Sequence, residues 1–198
     1  MKSEIDVVNI GGGNLGSVTR CFTSLGVSWN IVDSNKPPDG KRPIILPGVG
    51  AFGAVMQHLH KDGLDKLLLK IANSGTPFLG ICIGLQVLFE ASDESPGTAG
   101  LSLVKGKVVQ FTNGKVPQIG WNKINASNNH AWQPGYVYFV NSFYARPQNS
   151  ADVLYTANYF GEFCAAVKKQ NITAFQFHPE KSSLFGRDLL KRWIFDVA

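Results

Sequence analysis

One cysteine of this sequence stands in a setting typical of a nucleophile. Cys82 lies in the segment GICIG, with Gly80 and Gly84 two residues to either side. The apolar run before it has strand character and the run after it has helix character, which is the layout of a G-x-S-x-G nucleophile elbow. At the start of a helix, free N–H groups and the helix dipole favour thiolate over thiol. The N–H of Ile83 would then point to where an oxyanion develops. The alternative is that Cys82 is a small core residue.

A thiol nucleophile needs a base, and the sequence offers four histidines. His58 and His60 are two residues apart in a predicted helix, so their side chains diverge and a metal pair is not indicated. His130 lies in a polar loop and has no evident partner. His178 differs, because it ends the apolar run ITAFQF and is followed by Pro179 and Glu180.

The segment HPE predicts a contact between His178 and Glu180. Proline would hold this segment extended, and residues i and i+2 of an extended segment face the same side. Glu180 could then orient the His178 ring, which supplies nucleophile, base and orienting acid as Cys82, His178 and Glu180. Each residue alone has an ordinary structural explanation, and only their combination indicates chemistry.

The elements that must position these residues alternate in the first half of the chain. Short apolar strands are predicted at IDVVNI, VSWNIV, PIILP and PFLGI. Helices are predicted between them, one capped by Asn14 and ending near Gly26, and one interrupted near Gly63. Such alternation indicates a parallel sheet covered on both faces.

The second half changes character. GLSLVKGKVVQF resembles a hairpin around Lys105–Gly106, and YVYFV, DVLYTANY, EFCAAVKK and ITAFQF follow as strands, with SLFGRDLLKRWIF as a closing helix. We therefore predict a single α/β domain spanning 1–198, with a parallel core sheet and antiparallel additions.

A glycine-rich turn suggests a competing function. GGGNLG matches G-x-G-x-x-G through Gly11, Gly13 and Gly16, and Asp33 lies 20 residues beyond Gly13. This is the layout of a dinucleotide site, although any tight strand-to-helix turn favours glycine. An NAD(P)-binding oxidoreductase is therefore the second hypothesis at this point.

Composition and charge limit the cellular environment and the kinds of partner that we expect for this protein. The net charge of +5 is uneven, since residues 1–99 hold 8 basic and 9 acidic groups and residues 100–198 hold 11 and 5. The basic residues are scattered, so nucleic acid is not expected. No apolar run is long enough to predict a membrane span, and three distant cysteines predict neither a disulfide framework nor a metal site. A cytoplasmic protein is expected.

The residues that carry the predicted chemistry match a family. GICIGLQ together with QFHPEKS resembles the class I (triad) glutamine amidotransferases, which form one three-layer, flavodoxin-like α/β domain. GGGNLGSV, LPGVGAF, PQIGWN and YFVNSFY extend the resemblance over nearly the whole chain. They narrow it to the glutaminase subunits of imidazole glycerol phosphate synthases. In this family the glycine-rich turn belongs to the fold, and no cofactor is implied.

The resemblance implies a role for each matching residue. Cys82 would attack the carboxamide of L-glutamine, His178 would act as base and then acid, and Glu180 would orient His178. Backbone at Val49, Gly50 and Ile83 would form the oxyanion hole. Glutamine would be held by Gln86, Glu94, Asn141, Ser142 and Phe143.

The resemblance also implies a partner. Trp121, Asn122, Tyr138 and Lys181 would form the docking face for a (β/α)8-barrel synthase subunit in a heterodimer. Ammonia would pass to that subunit, which forms imidazole glycerol phosphate and AICAR in histidine biosynthesis.

Two residues depart from the family's usual F-V-H-S-Y, since Asn141 and Phe143 replace His and Tyr. These departures leave the triad intact, but a paralogue that supplies ammonia for nucleotide-sugar amidination is therefore an alternative. A catalytically silent docking subunit that only regulates a synthase is a further hypothesis.

Overall fold

The computed structural model describes residues 4–11, 14–61, 63–127 and 132–197. His130 and Gly13 therefore lie outside the described residues. Strands and helices alternate through the first half of the chain, as their apolar patterns predict, and strands dominate the second half.

Parallel strands form one side of the sheet, in which the described residues contribute 12 strands. They lie in the order β2-β1-β3-β4-β12, and each neighbouring pair is parallel. Their bounds are β1 Glu4–Val8, β2 Ser28–Val32, β3 Ile44–Leu46, β4 Phe78–Ile81 and β12 Ile172–Phe175. All four predicted strands of the first half are confirmed.

Helices cover both faces of this parallel core. Their bounds are α1 Leu15–Ser24, α2 Phe52–Lys61, α3 Leu64–Asn73, α4 Ile83–Gln86 and α5 Ser183–Val197. Successive strand residues point to opposite faces, so Val8 packs in one core with Leu59 of α2. Val7 packs in the other core with Phe22 of α1 and Leu190 of α5. The predicted three-layer α/β fold is thus confirmed.

Further strands extend the sheet beyond β12, and their pairings are antiparallel except that of β5 with β6, which is parallel. They are β5 Ala91–Ser92, β6 Gly106–Gln110, β7 Gln118–Ala126, β8 Gly135–Asn141, β9 Phe143–Pro147, β10 Val153–Asn158 and β11 Glu162–Lys169. The sheet continues from β12 through β11, β10 and β7 to β8, each pair antiparallel. The β7–β8 hairpin therefore forms one edge of the sheet.

The predicted hairpin around Lys105–Gly106 is wrong. β6 pairs with β9 and β5. Residues 101–105, which directly precede β6, do not form a strand. Instead, the N–H groups of Leu101 and Val104 donate to Val87 and Leu88 at 2.8 and 3.0 Å. The apolar residues of this stretch are buried by the segment after α4, which local alternation cannot reveal. The interruption near Gly63 is confirmed, because it separates α2 from α3.

Within the described residues, every helix falls short of the length and apolarity that a membrane span requires.

Candidate active site

The predicted nucleophile and base follow neighbouring parallel strands. Cys82 comes directly after β4 and His178 shortly after β12, and these two strands pair in register from Ile172↔Phe78 to Phe175↔Ile81. The N–H of Cys82 donates to Phe175 O at 2.8 Å. Ligands of open α/β sheets bind at the carboxyl ends of the strands, and both residues lie at that edge.

The backbone at Cys82 has the strained conformation of a nucleophile elbow. Its φ of 58° and ψ of −109° are rare for a residue with a side chain. Both flanking glycines are required by space. A Cβ on Gly84 would lie 1.8 Å from Leu46 O, and one on Gly80 would lie 2.6 Å from Gly84 O. The sharp turn thus depends on glycine at both positions, as the spacing predicts.

His178 and Glu180 form the predicted hydrogen bond. Nδ1 of His178 lies 2.8 Å from Oε1 of Glu180, and the two side chains are only 2% and 0% exposed. The predicted extended conformation is wrong, however, because Pro179–Lys181 forms a single 3₁₀ turn. The contact is made across this turn, with proline at its first position.

The contacts of His178 favour its charged form. Burial by itself lowers the pKa of this imidazole, but the hydrogen bonds and negative charges of Cys82 and Glu180 outweigh burial and raise the pKa to about 10. Since Nδ1 faces Glu180, Nε2 is the ring nitrogen left for Cys82. The geometry therefore supports His178 as the proton-transfer partner of Cys82, with its ring oriented by the Glu180 carboxylate.

The helix after Cys82 is shorter than the apolar run predicts. α4 ends at Gln86, so its dipole is small and stabilises a thiolate less than a long helix would. The His178 imidazolium is then the larger source of positive potential at Cys82. The N–H of Ile83 lies in the first turn of α4, where N–H groups lack a partner within the helix, and it remains the predicted oxyanion donor.

A cavity of about 330 Å³ opens above the cysteine. All the residues predicted to bind glutamine or to form the oxyanion hole line this cavity, together with Cys82, His178 and Lys181. They are Val49, Gly50, Ile83, Gln86, Glu94, Asn141, Ser142 and Phe143. Residues from five separate segments thus converge on a space suited to a small polar ligand.

Two side chains of the cavity are already positioned by the protein. Glu94 Oε2 accepts a hydrogen bond from the N–H of Phe52 at 2.7 Å. Gln86 Nε2 donates to Phe143 O at 3.3 Å and to Gln176 Oε1 at 3.1 Å. A fixed carboxylate suits an α-ammonium group, and a fixed amide suits a polar substrate atom.

Asn141, one of the two residues that depart from the family pattern, supports the cavity wall. Asn141 is 5% exposed, and its Nδ2 donates to Phe143 O at 3.0 Å. It stands opposite Gln118 across the β7–β8 pair. Its amide holds the end of β8 against β9, so replacement of the usual histidine leaves this turn hydrogen-bonded.

Sequence reasoning missed Pro117 and Val140, which line the cavity, and two polar residues that contact the side chains of the site. Gln176 is fully buried and contacts Gln86, and its position two residues before His178 on the same strand run was the available signal. Asn14, which we predicted to cap α1, makes no side-chain cap. Its Nδ2 instead donates to Oε1 of Glu180, a contact between residues so far apart in sequence that no local pattern predicts it.

Three of the four predicted docking residues share one surface. Trp121 and Tyr138 are paired across β7 and β8, with ring centroids 6.2 Å apart, and Lys181 is exposed at the cavity. Asn122 does not share their face, because alternate residues of a strand point to opposite sides. Its Nδ2 donates to Asn158 O at 2.8 Å, which ties β7 to the end of β10.

The residues of the other hypotheses have structural contacts. Asp33 Oδ1 accepts hydrogen bonds from the N–H groups of Asn35 and Lys36 at 2.8 and 2.9 Å, so its carboxylate closes its own turn. His60 contacts Asp65 at 2.9 Å. Among the described residues, no group of three or more His, Cys, Asp or Glu is arranged to hold a metal ion.

With this fold and this cavity, comparison with known proteins defines the class. The chain belongs to the glutamine amidotransferase class-I family, whose sequence pattern matches residues 6–197. Two solved structures share its fold. A glutamine amidotransferase superposes with a TM-score of 0.77 at 18% identity, covering 98% of both chains. PurLQS from Thermotoga maritima superposes with a TM-score of 0.76 at 19% identity, covering 99% of both chains.

Within the family, the chain is similar to proteins of one name. The imidazole glycerol phosphate synthase subunit HisH of Methanothermobacter thermautotrophicus is 41% identical over 195 residues, which cover 96% of this chain and 97% of that protein. HisH of Rhodopirellula baltica is 40% identical over 196 residues and 96% of each chain. HisH of Chlorobaculum tepidum is 37% identical over 195 residues, which cover 94% of this chain and 97% of that protein.

Proposed function

We propose that this chain hydrolyses L-glutamine to glutamate and ammonia, and that it supplies the ammonia to a synthase subunit of histidine biosynthesis. One observation carries the proposal. The cavity that holds Cys82 and His178 is lined by every residue that the family resemblance assigns to glutamine or to the oxyanion. The similarity to HisH proteins over nearly the full length of both chains supports the pathway.

The geometry supports a two-step mechanism. The Cys82 thiolate attacks the carboxamide carbon, and the resulting oxyanion is stabilised by N–H groups at Ile83 and in the Val49–Gly50 loop. His178 then gives its proton to the leaving nitrogen, so that ammonia departs and a glutamyl thioester remains. In the second step, His178 takes a proton from water, hydroxide attacks the thioester, and glutamate leaves the regenerated thiolate.

The Val49–Gly50 loop has room to rearrange during this reaction. Gly50 has φ of 122°, and a Cβ at this position would meet no heavy atom within 4 Å. Val49 is 38% exposed at the mouth of the cavity. A peptide unit in such a loop can turn its N–H towards the oxyanion when a partner contacts it, so we expect the partner to accelerate hydrolysis.

An exposed apolar surface beside the cavity supports a partner. The outward face of the β7–β8 hairpin carries Ile119 (63% exposed), Trp121 (54%), Tyr136 (60%) and Val140 (38%). Val140 also lines the cavity, so the surface reaches the place where ammonia is released. Contiguous exposed apolar residues of this kind mark protein interfaces. We assign this surface to a (β/α)8-barrel subunit, in keeping with the family resemblance.

Glutamine hydrolysis in the reconstituted complex tests the proposal. The chain is mixed with a HisF-type barrel subunit and its phosphorylated substrate, and release of glutamate is measured. The glutamine analogue 6-diazo-5-oxo-L-norleucine is then used to label the nucleophile. We expect hydrolysis and covalent labelling at Cys82, and loss of both in Cys82→Ser. Cys164→Ser, a buried thiol on β11 away from the cavity, is the matched control and should retain both.

The outcomes separate the alternatives. Absence of labelling at Cys82 in the complex would contradict glutaminase activity and favour a silent docking subunit. Hydrolysis that responds to a sugar-modifying synthase and not to a HisF-type barrel would contradict the histidine-pathway assignment. Saturable NAD(P)H binding that Asp33→Ala abolishes would support the oxidoreductase hypothesis instead.

A further inference from the structure

The glycine-rich turn between β1 and α1 reaches the catalytic pair. Asn14 ends this turn, and its Nδ2 donates a hydrogen bond to Oε1 of Glu180. The same carboxylate oxygen accepts the hydrogen bond from His178 Nδ1 at 2.8 Å. Asn14 Nδ2 lies 3.3 Å from that ring nitrogen. Both nitrogens are donors when the ring faces a carboxylate through Nδ1–H, so Glu180 is the acceptor that Asn14 and His178 share.

The backbone conformation of Asn14 is one that suits glycine, which indicates that asparagine is present here for its side chain. Its φ of 90° and ψ of −8° lie in a left-handed region that glycine adopts without strain and asparagine tolerates. Three glycines precede it in the sequence, yet this position carries an amide. That amide does not cap α1, although an asparagine at this place commonly does. The side-chain amide of Asn14 donates to Glu180 instead.

Glu180 needs this second contact because little else holds its carboxylate. The side chain is fully buried, and its Oε2 has no hydrogen-bond partner among the described residues. Without Asn14, Oε1 would retain only the bond to His178, and the carboxylate could rotate between its two oxygens. A rotated carboxylate would carry the imidazole with it, and a small misplacement of a catalytic group is costly.

We propose that Asn14 is a positioning residue of the triad, which acts through Glu180 to fix the ring of His178 towards Cys82. This inference rests on the proposed glutaminase function for its kinetic consequences. It also gives the GGGNLG motif a role in this chain: the turn delivers a hydrogen-bond donor to Glu180.

Asn14→Gly is the sharpest test, because it removes the side-chain amide and places at this φ a residue that adopts it without strain. We expect only a small change in melting temperature, because the relief of the backbone at this φ offsets much of the lost bond to Glu180. We expect kcat for glutamine hydrolysis in the complex to fall about tenfold with KM unchanged, as for loss of one charge-assisted hydrogen bond. Asn9→Ala is the matched control. It removes the bond from the N–H of Gly11 to Asn9 Oδ1 in the same turn and should leave kcat unchanged.

Two further measurements distinguish positioning from support of the turn. In a Glu180→Gln background, Asn14→Gly should cause no additional loss of kcat, because its effect passes through Glu180. In the isolated chain, the His178 ring titration followed by NMR should move to lower pH in Asn14→Gly than in the wild type, because Glu180 loses the fixed position from which it raises the pKa of His178. Asn9→Ala should leave that titration unchanged.

An unchanged titration and unchanged kcat in Asn14→Gly would overturn the inference, as would additive losses with Glu180→Gln. Failure of the wild-type complex to hydrolyse glutamine would overturn the proposed function only. The NMR titration would still decide whether Asn14 positions His178.

Discussion

The second glycine of the elbow gives the most demanding prediction. Gly84→Ala adds one methyl group, whose carbon would lie 1.8 Å from Leu46 O and 3.5 Å from Leu46 Cγ. The backbone of Gly84 is not in a left-handed conformation, so the added methyl acts only through this contact. Leu46 ends the central strand β3, and its carbonyl cannot rotate away as a flexible side chain would. Either α4 or β3 must shift.

The magnitude follows from the cost of overpacking. Insertion of one carbon into a packed core costs about 1–3 kcal/mol, and a backbone neighbour places Gly84→Ala at the upper end, about 3 kcal/mol. For a chain of this length, that corresponds to a melting temperature lower by roughly 6–12 °C. Because Cys82 is two residues away, kcat should also fall, by about 100-fold if the thiol is displaced by 1 Å.

Thermal unfolding and glutamine hydrolysis measure the two effects. The matched control is Gly16→Ala in α1, where an added Cβ would meet only the end of the flexible Arg20 side chain, at 3.2 Å. This control should be neutral or stabilising by about 0.5–1 kcal/mol, because alanine is the better helix former. The reasoning is refuted if Gly84→Ala melts with the wild type and retains its kcat.

The remaining predictions concern the pair at the site and the exposed surface. Since the pKa of His178 is raised from 6.5 to about 10, its ion pair stabilises the fold fully below pH 6.5 and ceases to do so as the pH passes 10. Denaturation midpoints of the wild type and His178→Gln should therefore converge over this interval, and a gap independent of pH would contradict the ion pair. Trp121→Ala should weaken binding of the barrel subunit about 30-fold, the loss of about 2 kcal/mol typical of a central tryptophan. Calorimetry measures this, and Phe195→Ala, which removes an exposed apolar side chain from α5, should bind as the wild type does.

The parallel half of the fold could be predicted because each element is encoded locally. β1, β3 and β4 are short apolar runs, of which β3 and β4 directly follow a proline, and the break between α2 and α3 falls at a glycine with φ of 69°. The antiparallel half was predicted less completely. β7 was missed because its inward positions carry Gln118, Gly120 and Asn122 as well as Ile124, so its regular alternation of burial is not an alternation of apolar and polar residues. Its partners are set by contacts distant in sequence.

In the candidate site, too, some contacts are encoded by local sequence and others depend on segments distant in sequence. The spacing of Gly80, Cys82 and Gly84 encodes the elbow, and the HPE segment encodes the bond between His178 and Glu180. The contacts of Asn14 and Asn122 are not encoded locally, since each depends on which segment the fold brings beside it. Asn122 was assigned to the docking face by resemblance alone, whereas its position on β7 turns its side chain away from Trp121.

The central claim is that Cys82 forms a covalent bond to the glutamyl group, and mass spectrometry of the acid-quenched complex tests it most directly. The wild-type complex is quenched while it turns over L-glutamine, and the peptide that contains Cys82 is analysed for a glutamyl thioester. The account predicts this adduct on Cys82 and its absence in Cys82→Ser. Steady hydrolysis of glutamine with no thioester on Cys82, or with the adduct on another residue, would contradict it.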